Sequence, residues 1–332
     1  MLKQACHVQH IGLAIALAVA CGSARAQLFS NGSANPGTPA LALVNQTGNN
    51  TPAPGSSQWS EVASVSALLG NSLAGVACHA DQSDASGGVR LADDFTVPTG
   101  QTWRLAGMQL FAYQPGALST PVSGATLRIW NDVPGEAGSS VVFGDTSTNR
   151  LNSVAAMDAY RVFTTTVGPA IMSPDTSRRL YAVTLNVNLT LGPGTYWLDW
   201  QLSNSSGNPP LFVVPVTLSG TRTLPGWNAK LFADGAWTPV NDTGKPEGAT
   251  DAAQDIAFVL LGSPGAECDS IDFNRNDVYP EDQDVIDFFQ VLAGGACPYA
   301  DPCDIDFNNN DVYPEDQDVI DFFNTLAGGV CG

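Results

Sequence analysis

Asn276–Phe289 reads NDVYPEDQDVIDFF, and Asn310–Phe323 reads NDVYPEDQDVIDFF again, identical at all fourteen positions. Each copy sits in a longer unit bounded by cysteines, Cys268 to Cys297 and Cys303 to Cys331. In both units an acidic, asparagine-rich loop runs directly into a stretch with apolar residues at helical spacing: Val285, Phe288, Phe289 and Leu292 in the first. A duplicated loop-plus-helix unit predicts a small all-α domain over 268–332, set apart from everything upstream.

The loop composition points to a hard cation. Calcium takes six to eight oxygens, and an EF-hand loop supplies them from alternating positions 1, 3, 5 and 7 and from a carboxylate near position 12. Asp272, Asn274 and Asn276 fall at 1, 3 and 5 of the first copy, and Val278 at 7 would offer its carbonyl. Asp306, Asn308, Asn310 and Val312 repeat the pattern. Position 12 is Gln283 or Gln317, flanked by acids, so the last ligand is expected to be Asp284 or Asp318, with one extra residue near Pro280 and Pro314. Asp282 and Asp316 are the competing choice. Position 6, usually Gly, is Asp277 or Asp311, and Asp tolerates the left-handed conformation. A plain solvated helix start would explain the acids near the helix N-terminus. It would not explain the upstream DxNxN, repeated in register. Two calcium ions are expected.

These residues resemble a dockerin, two calcium-loop-plus-helix repeats packed about a pseudo-twofold axis. The closer likeness is to the Gly-Cys-ended dockerins of secreted planctomycete-like bacterial proteins, through the loop, the helix and the terminal AGG-x-Cys over Cys268–Gly332. The resemblance implies non-covalent anchoring of a secreted protein to a cohesin-like receptor. The first turns, Glu281 and Asp282 with their twins Glu315 and Asp316, are the expected receptor contacts, and duplication implies two equivalent faces.

The chain opens as an export signal. Lys3 precedes an apolar run from Ile11 to Cys21, and Ala24-Arg25-Ala26 fits a cleavage site. Residues 1–26 are read as the signal and Gln27 as the first mature residue; acylation of Cys21 is the lesser alternative. No other segment is long and apolar enough to span a bilayer. Without Lys3 and Arg25, eleven basic residues face thirty-two acidic ones, a net charge of −21. Residues 263–332 hold sixteen of the acids and only Arg275, so −15 of that charge is local. Nucleic-acid binding, which calls for a basic stripe, is excluded.

Five cysteines remain after the signal: Cys78, Cys268, Cys297, Cys303 and Cys331. The last four bracket the repeats and read as disulfides in an exported protein. One bridge per repeat is favoured, because copying a unit copies its bridge. The rival joins Cys268 to Cys331 and Cys297 to Cys303. Cys78 reads as a buried thiol.

Upstream, residues 27–75 are rich in Gly, Asn, Ser, Thr and Pro, with one edge strand expected near Gln27–Asn31. Residues 76–262 are β in character, and 263–267 form a linker. Short β-branched or alternating runs such as DDFTVP, TWRLAGMQLFAYQ, ATLRIW, LYAVTLNV, GTYWLDWQL and IAFVLLG are separated by Gly, Pro, Asn and Asp clusters. The expected fold class is an antiparallel sandwich or jelly roll, followed by the small helical tail. ADDFTVP, LRIWNDVPGEAGS and LGPGTYWLDW resemble the β-sandwich domains that precede surface anchors in secreted bacterial proteins, a group that implies no activity.

Nothing in the body announces catalysis. The mature chain has one histidine, His79, and no G-x-S-x-G elbow or zinc-ligand cluster. Asp93, Asp94, Asp132 and Asp199 are the carboxylates a glycosidase pair could draw on. Along Gly194–Leu202, Tyr196, Leu198 and Trp200 share one face, read as core, while Trp197, Asp199 and Gln201 share the other. That second face is either a wet outer surface or a sugar-binding face. The expected function is a secreted, non-catalytic module, glycan-binding or envelope-structural, on a calcium-dependent anchor. The alternative is a dockerin-borne carbohydrate-active hydrolase.

Overall fold

The computed structural model describes residues 27–31, 41–80, 88–99, 101–168, 173–204, 210–265, 268–299, 303–309 and 312–329. The signal segment, Asn310, Asp311 and Cys331 lie outside these residues. Strands come first: β1 (Gln27–Ser30), β2 (Gln58–Glu61), β3 (Ser64–Ser66), β4 (Leu69–Gly70), β5 (Val76–Ala77), β6 (Arg90–Val97), β7 (Thr102–Tyr113), β8 (Val122–Trp130) and β9 (Val141–Asp145). They continue as β10 (Leu151–Val162), β11 (Arg179–Leu191), β12 (Gly194–Asn204), β13 (Phe212–Val213), β14 (Lys230–Ala233), β15 (Ala236–Pro239), β16 (Asn241–Asp242), β17 (Ala252–Ala253) and β18 (Phe258–Gly265). Two helices follow, α1 (Asp282–Leu292) and α2 (Asp316–Leu326). Among the described residues neither is long and apolar enough to cross a membrane, which says nothing of a β-barrel.

Two large sheets build a β-sandwich-like body. One runs β1-β18-β7-β11-β10-β2, with β13 and β5 attached beside β7; the other runs β15-β14-β6-β12-β8-β9. The pairings are antiparallel except β2 with β10. The core fills the space between the sheets. Met108, Leu110, Val183, Leu185, Phe258 and Leu260 come from the first sheet, and Leu91, Phe95, Leu127, Ile129, Leu198 and Trp200 from the second. Fully burying side chains of this size contributes roughly 1.5–3 kcal/mol each. Alternation puts Tyr196, Leu198 and Trp200 inward.

β1 is an edge strand, as Gln27–Asn31 suggested. The rest of 27–75 is tied in more firmly than its composition implied, through β2 and the β3–β4 hairpin. At the other end β18 runs past Gly262: Ser263, Pro264 and Gly265 pair with Arg104, Trp103 and Thr102. Pro264 is tolerated because β1 pairs only as far as Leu261, leaving that stretch of β18 with a partner on one side.

The tail has its own aromatic core. Phe273, Phe288, Phe307 and Phe322 are buried together. Phe288 stacks on its own repeat equivalent, Phe322, with ring centroids 4.3 Å apart, and Phe289 meets its equivalent Phe323 at 5.9 Å. Contact between equivalent residues is what a twofold axis produces.

Candidate metal loops and docking face

Each helix starts at an acidic N-cap, Glu281 or Glu315, in extended conformation. Three residues on, Asp284 and Asp318 reach back, and their Oδ2 atoms accept the N-cap amides at 3.3 and 3.1 Å. This reciprocal arrangement fixes the helix start. It also leaves Oδ1 of each carboxylate facing its loop. Both side chains are fully buried, whereas Asp282 and Asp316 are exposed.

In the first loop Asp272 accepts the amide of Asn276 on Oδ1 at 3.0 Å and that of Asp277 on Oδ2 at 2.9 Å. Asp277 adopts φ +62°, the left-handed conformation its position requires. Asn276 Oδ1 accepts the Val278 amide at 2.7 Å, and the Asn274 amide lies 3.5 Å from Asp284 Oδ1. Asp272, Asn274, Asn276 and Asp284 thus lie about one loop. Glu281, read as a receptor contact, is half-buried and turned toward the loop. Its Oε1 accepts Asn276 Nδ2 at 2.6 Å and Asn274 Nδ2 at 3.3 Å.

In the second loop Asp306, Asn308 and Asp318 are buried. Asn308 Nδ2 donates to Asp321 Oδ2 at 3.0 Å. Only an amide nitrogen can do this, so Asn308 Oδ1 must point the other way. Asn308 Oδ1 is a buried oxygen without a donor, and buried Asp318 Oδ1 has no close one, the Asn308 amide acting on this carboxylate only weakly, as the Asn274 amide does on Asp284. Burial pushes the Asp318 carboxyl above its usual range. No cationic side chain lies within ion-pair distance of Asp272, Asp284 or Asp318 among the described residues. Asn310 lies outside those residues. The donor set is mixed, carboxylates with asparagine oxygens, and no cluster of three or more His, Cys, Asp or Glu suited to a metal occurs among the described residues.

Asp287 and Asp321 are buried acids that sequence reasoning missed. Gln283 and Gln317, four residues earlier on the same helix face, donate to them at 2.8 and 2.9 Å. The repeated Gln-x-x-x-Asp spacing was the available signal.

The helices leave a duplicated apolar surface. Tyr279 and Tyr313 are each 60% exposed, Ile286 and Ile320 are 55% and 50%, and Phe289 and Phe323 are 39% and 43%. The Phe289–Phe323 contact joins the two repeats.

The favoured cysteine pairing is not adopted. Cys297 bonds Cys303, with Cα atoms 5.6 Å apart, bridging the junction between the repeats rather than closing one. Only six positions separate them, so the connection itself brings them together. Cys268 is also disulfide-bonded. Cys78 is a free, fully buried thiol, pushed up to about 12 by burial.

In the body, the outer face of β12 is covered rather than wet. Trp197, Asp199 and Gln201 are all buried. Asp199 is held by Arg90 at 2.7 Å, Arg128 at 2.6 Å and the Trp130 indole N–H at 3.1 Å. Lys230 sits over the Trp197 ring, and Gln201 Nε2 donates to the His79 and Val89 carbonyls. An internal ion cluster occupies the groups a sugar would have used. The four candidate carboxylates do not share a face. Asp94 points away from the core; Asp93 points inward beside Leu91 and Phe95, accepting Asn31 Nδ2 at 3.0 Å and the Ile256 amide at 2.7 Å. Asp132 lies exposed in the β8–β9 loop.

No protein-family model matches the chain, and no curated protein matches it.

Proposed function

We propose that this is an exported, non-catalytic β-sandwich protein, a glycan-binding or envelope-structural module, held to a cohesin-like receptor by a dockerin-like tail that binds two calcium ions. The observation that carries the reading is the pair of buried, under-satisfied oxygens Asn308 Oδ1 and Asp318 Oδ1. A buried acceptor without a partner costs about 1–3 kcal/mol, more when charged. Two in one loop, at the places the repeat assigns to ligands, fit a cation far better than a solvated helix start. Asp272, Asn274, Asn276, Asp284 and the Val278 carbonyl would hold one ion. Asp306, Asn308, Asp318, Asn310 and the Val312 carbonyl would hold the other. The ion would supply the oxygens' common partner and contribute folding free energy to short helices that are marginal alone.

The receptor face we assign is the apolar pair of patches around Tyr279, Ile286, Phe289 and their twins. Large apolar side chains left exposed at the same places in both repeats fit an interaction site. The local charge of −15 calls for a receptor with a basic rim. Circular dichroism of the mature chain, disulfides reduced, tests the reading. Helix should be lost in chelator and restored by calcium; equal helicity in both would refute it.

A further inference from the structure

A cleft of about 380 Å³ opens beside β2, the edge strand of the larger sheet. One wall is the chain over 42–50, which runs along β2 through the Val44–Trp59 bridge. The other walls are Glu61–Ser64, Thr166, Thr217 and Ser219. Its volume is within the range of small-ligand sites, about 300–1,000 Å³.

The walls are fixed before any ligand arrives. Glu61 Oε1 accepts the Thr165 amide at 2.7 Å and its hydroxyl at 2.6 Å, while Oε2 accepts the Gly48 amide at 2.7 Å. One carboxylate thereby clamps two walls. The approach is close enough to require glycine: a Cβ on Gly48 would lie 2.2 Å from Thr166 Cγ2. The buried Thr217 hydroxyl accepts Arg161 Nη1 at 2.9 Å, and Arg161 is itself pinned by Ser60 and Ala74.

The lining selects a ligand class. Gln46, Asn50, Ser64 and Ser219 supply neutral amides and hydroxyls, and Val62 and Ala63 supply apolar surface. Among the described lining residues there is no Lys, Arg or His, and the one acid, Glu61, already accepts three hydrogen bonds. Such walls suit neither a phosphate nor an ammonium group. They suit a ring with hydroxyls at its edge and C–H groups on its face. We propose that this cleft is a binding subsite for one residue of a neutral polysaccharide. The inference rests on the body alone and gives the glycan-binding option a place; it does not depend on calcium.

The test is calorimetric titration of the mature chain with neutral cello-, xylo-, manno- and galacto-oligosaccharides, and with polygalacturonate as the acidic arm, all in chelator. At least one neutral oligosaccharide should bind. Ser219→Trp, at an exposed position on the cleft mouth, should weaken it by about tenfold or more, and Gln46→Ala by several-fold. Asn50→Gly keeps the positive φ of 63° while removing the amide, and should also weaken binding. Unchanged thermal melts would show that the variants are folded. No binding across the neutral panel, tighter binding of polygalacturonate, or wild-type affinity in Ser219→Trp would each overturn the proposal. Calcium uptake by the same sample, measured separately, distinguishes this failure from failure of the anchoring reading.

Discussion

Replacing Asp255 by Asn should flatten the pH dependence of the body's stability between about pH 4 and pH 7. Asp255 is buried just before β18, its Oδ1 accepting the Asn228 amide at 2.7 Å. Burial, reinforced by the charge of Asp94, raises its carboxyl from 3.8 to about 7. Asp93, wholly buried nearby, is raised in the same direction by burial and then by the charge of Asp255. The folded chain therefore keeps a proton that the unfolded chain has released. Stability from this group is complete below pH 3.8, falls as pH rises to about 7, and is level above that. At 1.36 kcal/mol per pH unit the full swing is on the order of 4 kcal/mol. Urea unfolding followed by tryptophan fluorescence reads it cleanly, because all seven tryptophans, Trp59 to Trp237, lie in the body and the tail has none. The Asn variant should gain on the wild type steadily from pH 4 to pH 7. Parallel stability curves for the two proteins would refute the reasoning.

Other outcomes follow from the same geometry. Asp306→Ala should reduce calcium uptake from two ions to one, as should Asp284→Asn, each leaving the other loop loaded; equilibrium dialysis counts the ions. Charge reversal at Asp282 together with Tyr279→Asp should leave receptor binding within a few-fold in a surface-plasmon assay, as should the twin change at Asp316 and Tyr313. Combining the two should abolish binding, and Phe289→Asp alone, at the pseudo-twofold contact, should damage both orientations. Glu281 is left out of this test because its carboxylate serves the loop. Cys78 should resist thiol reagents until the body unfolds, since its thiol is buried and its ionisation suppressed, so the modification rate should track unfolding.

The tail was the more legible part because its signals are local. An alternating oxygen pattern and helical spacing pointed to Asp272, Asn274, Asn276 and Asp284, which lie about one loop, and a carboxylate three residues past an N-cap can bond the cap amide while still facing that loop. The inward turn of Glu281 was not legible, since it depends on where Asn274 and Asn276 point. The cysteine pairing failed for a similar reason: duplication speaks to each repeat, whereas Cys297 and Cys303 meet across the short connection between them. In the body, the inward face of β12 could be read from alternation. Its outer face could not, because Trp197 and Asp199 are covered by partners from β6, β8 and β14, and Gln201 by the chain at His79 and Val89. The β14–β15 hairpin was overlooked although its turn, Asp234-Gly235, carries the pair that favours positive φ at both positions, found here at 52° and 79°. The flanking KLFA and AWTP were too short to stand out by period alone.

Calcium stoichiometry tests the central claim most directly. Isothermal titration of the mature, disulfide-intact chain should show two ions bound per molecule, falling to one in Asp306→Ala. Absence of calcium binding by the wild-type chain, or a full complement of two in Asp306→Ala, would contradict the assignment of one ion to each loop.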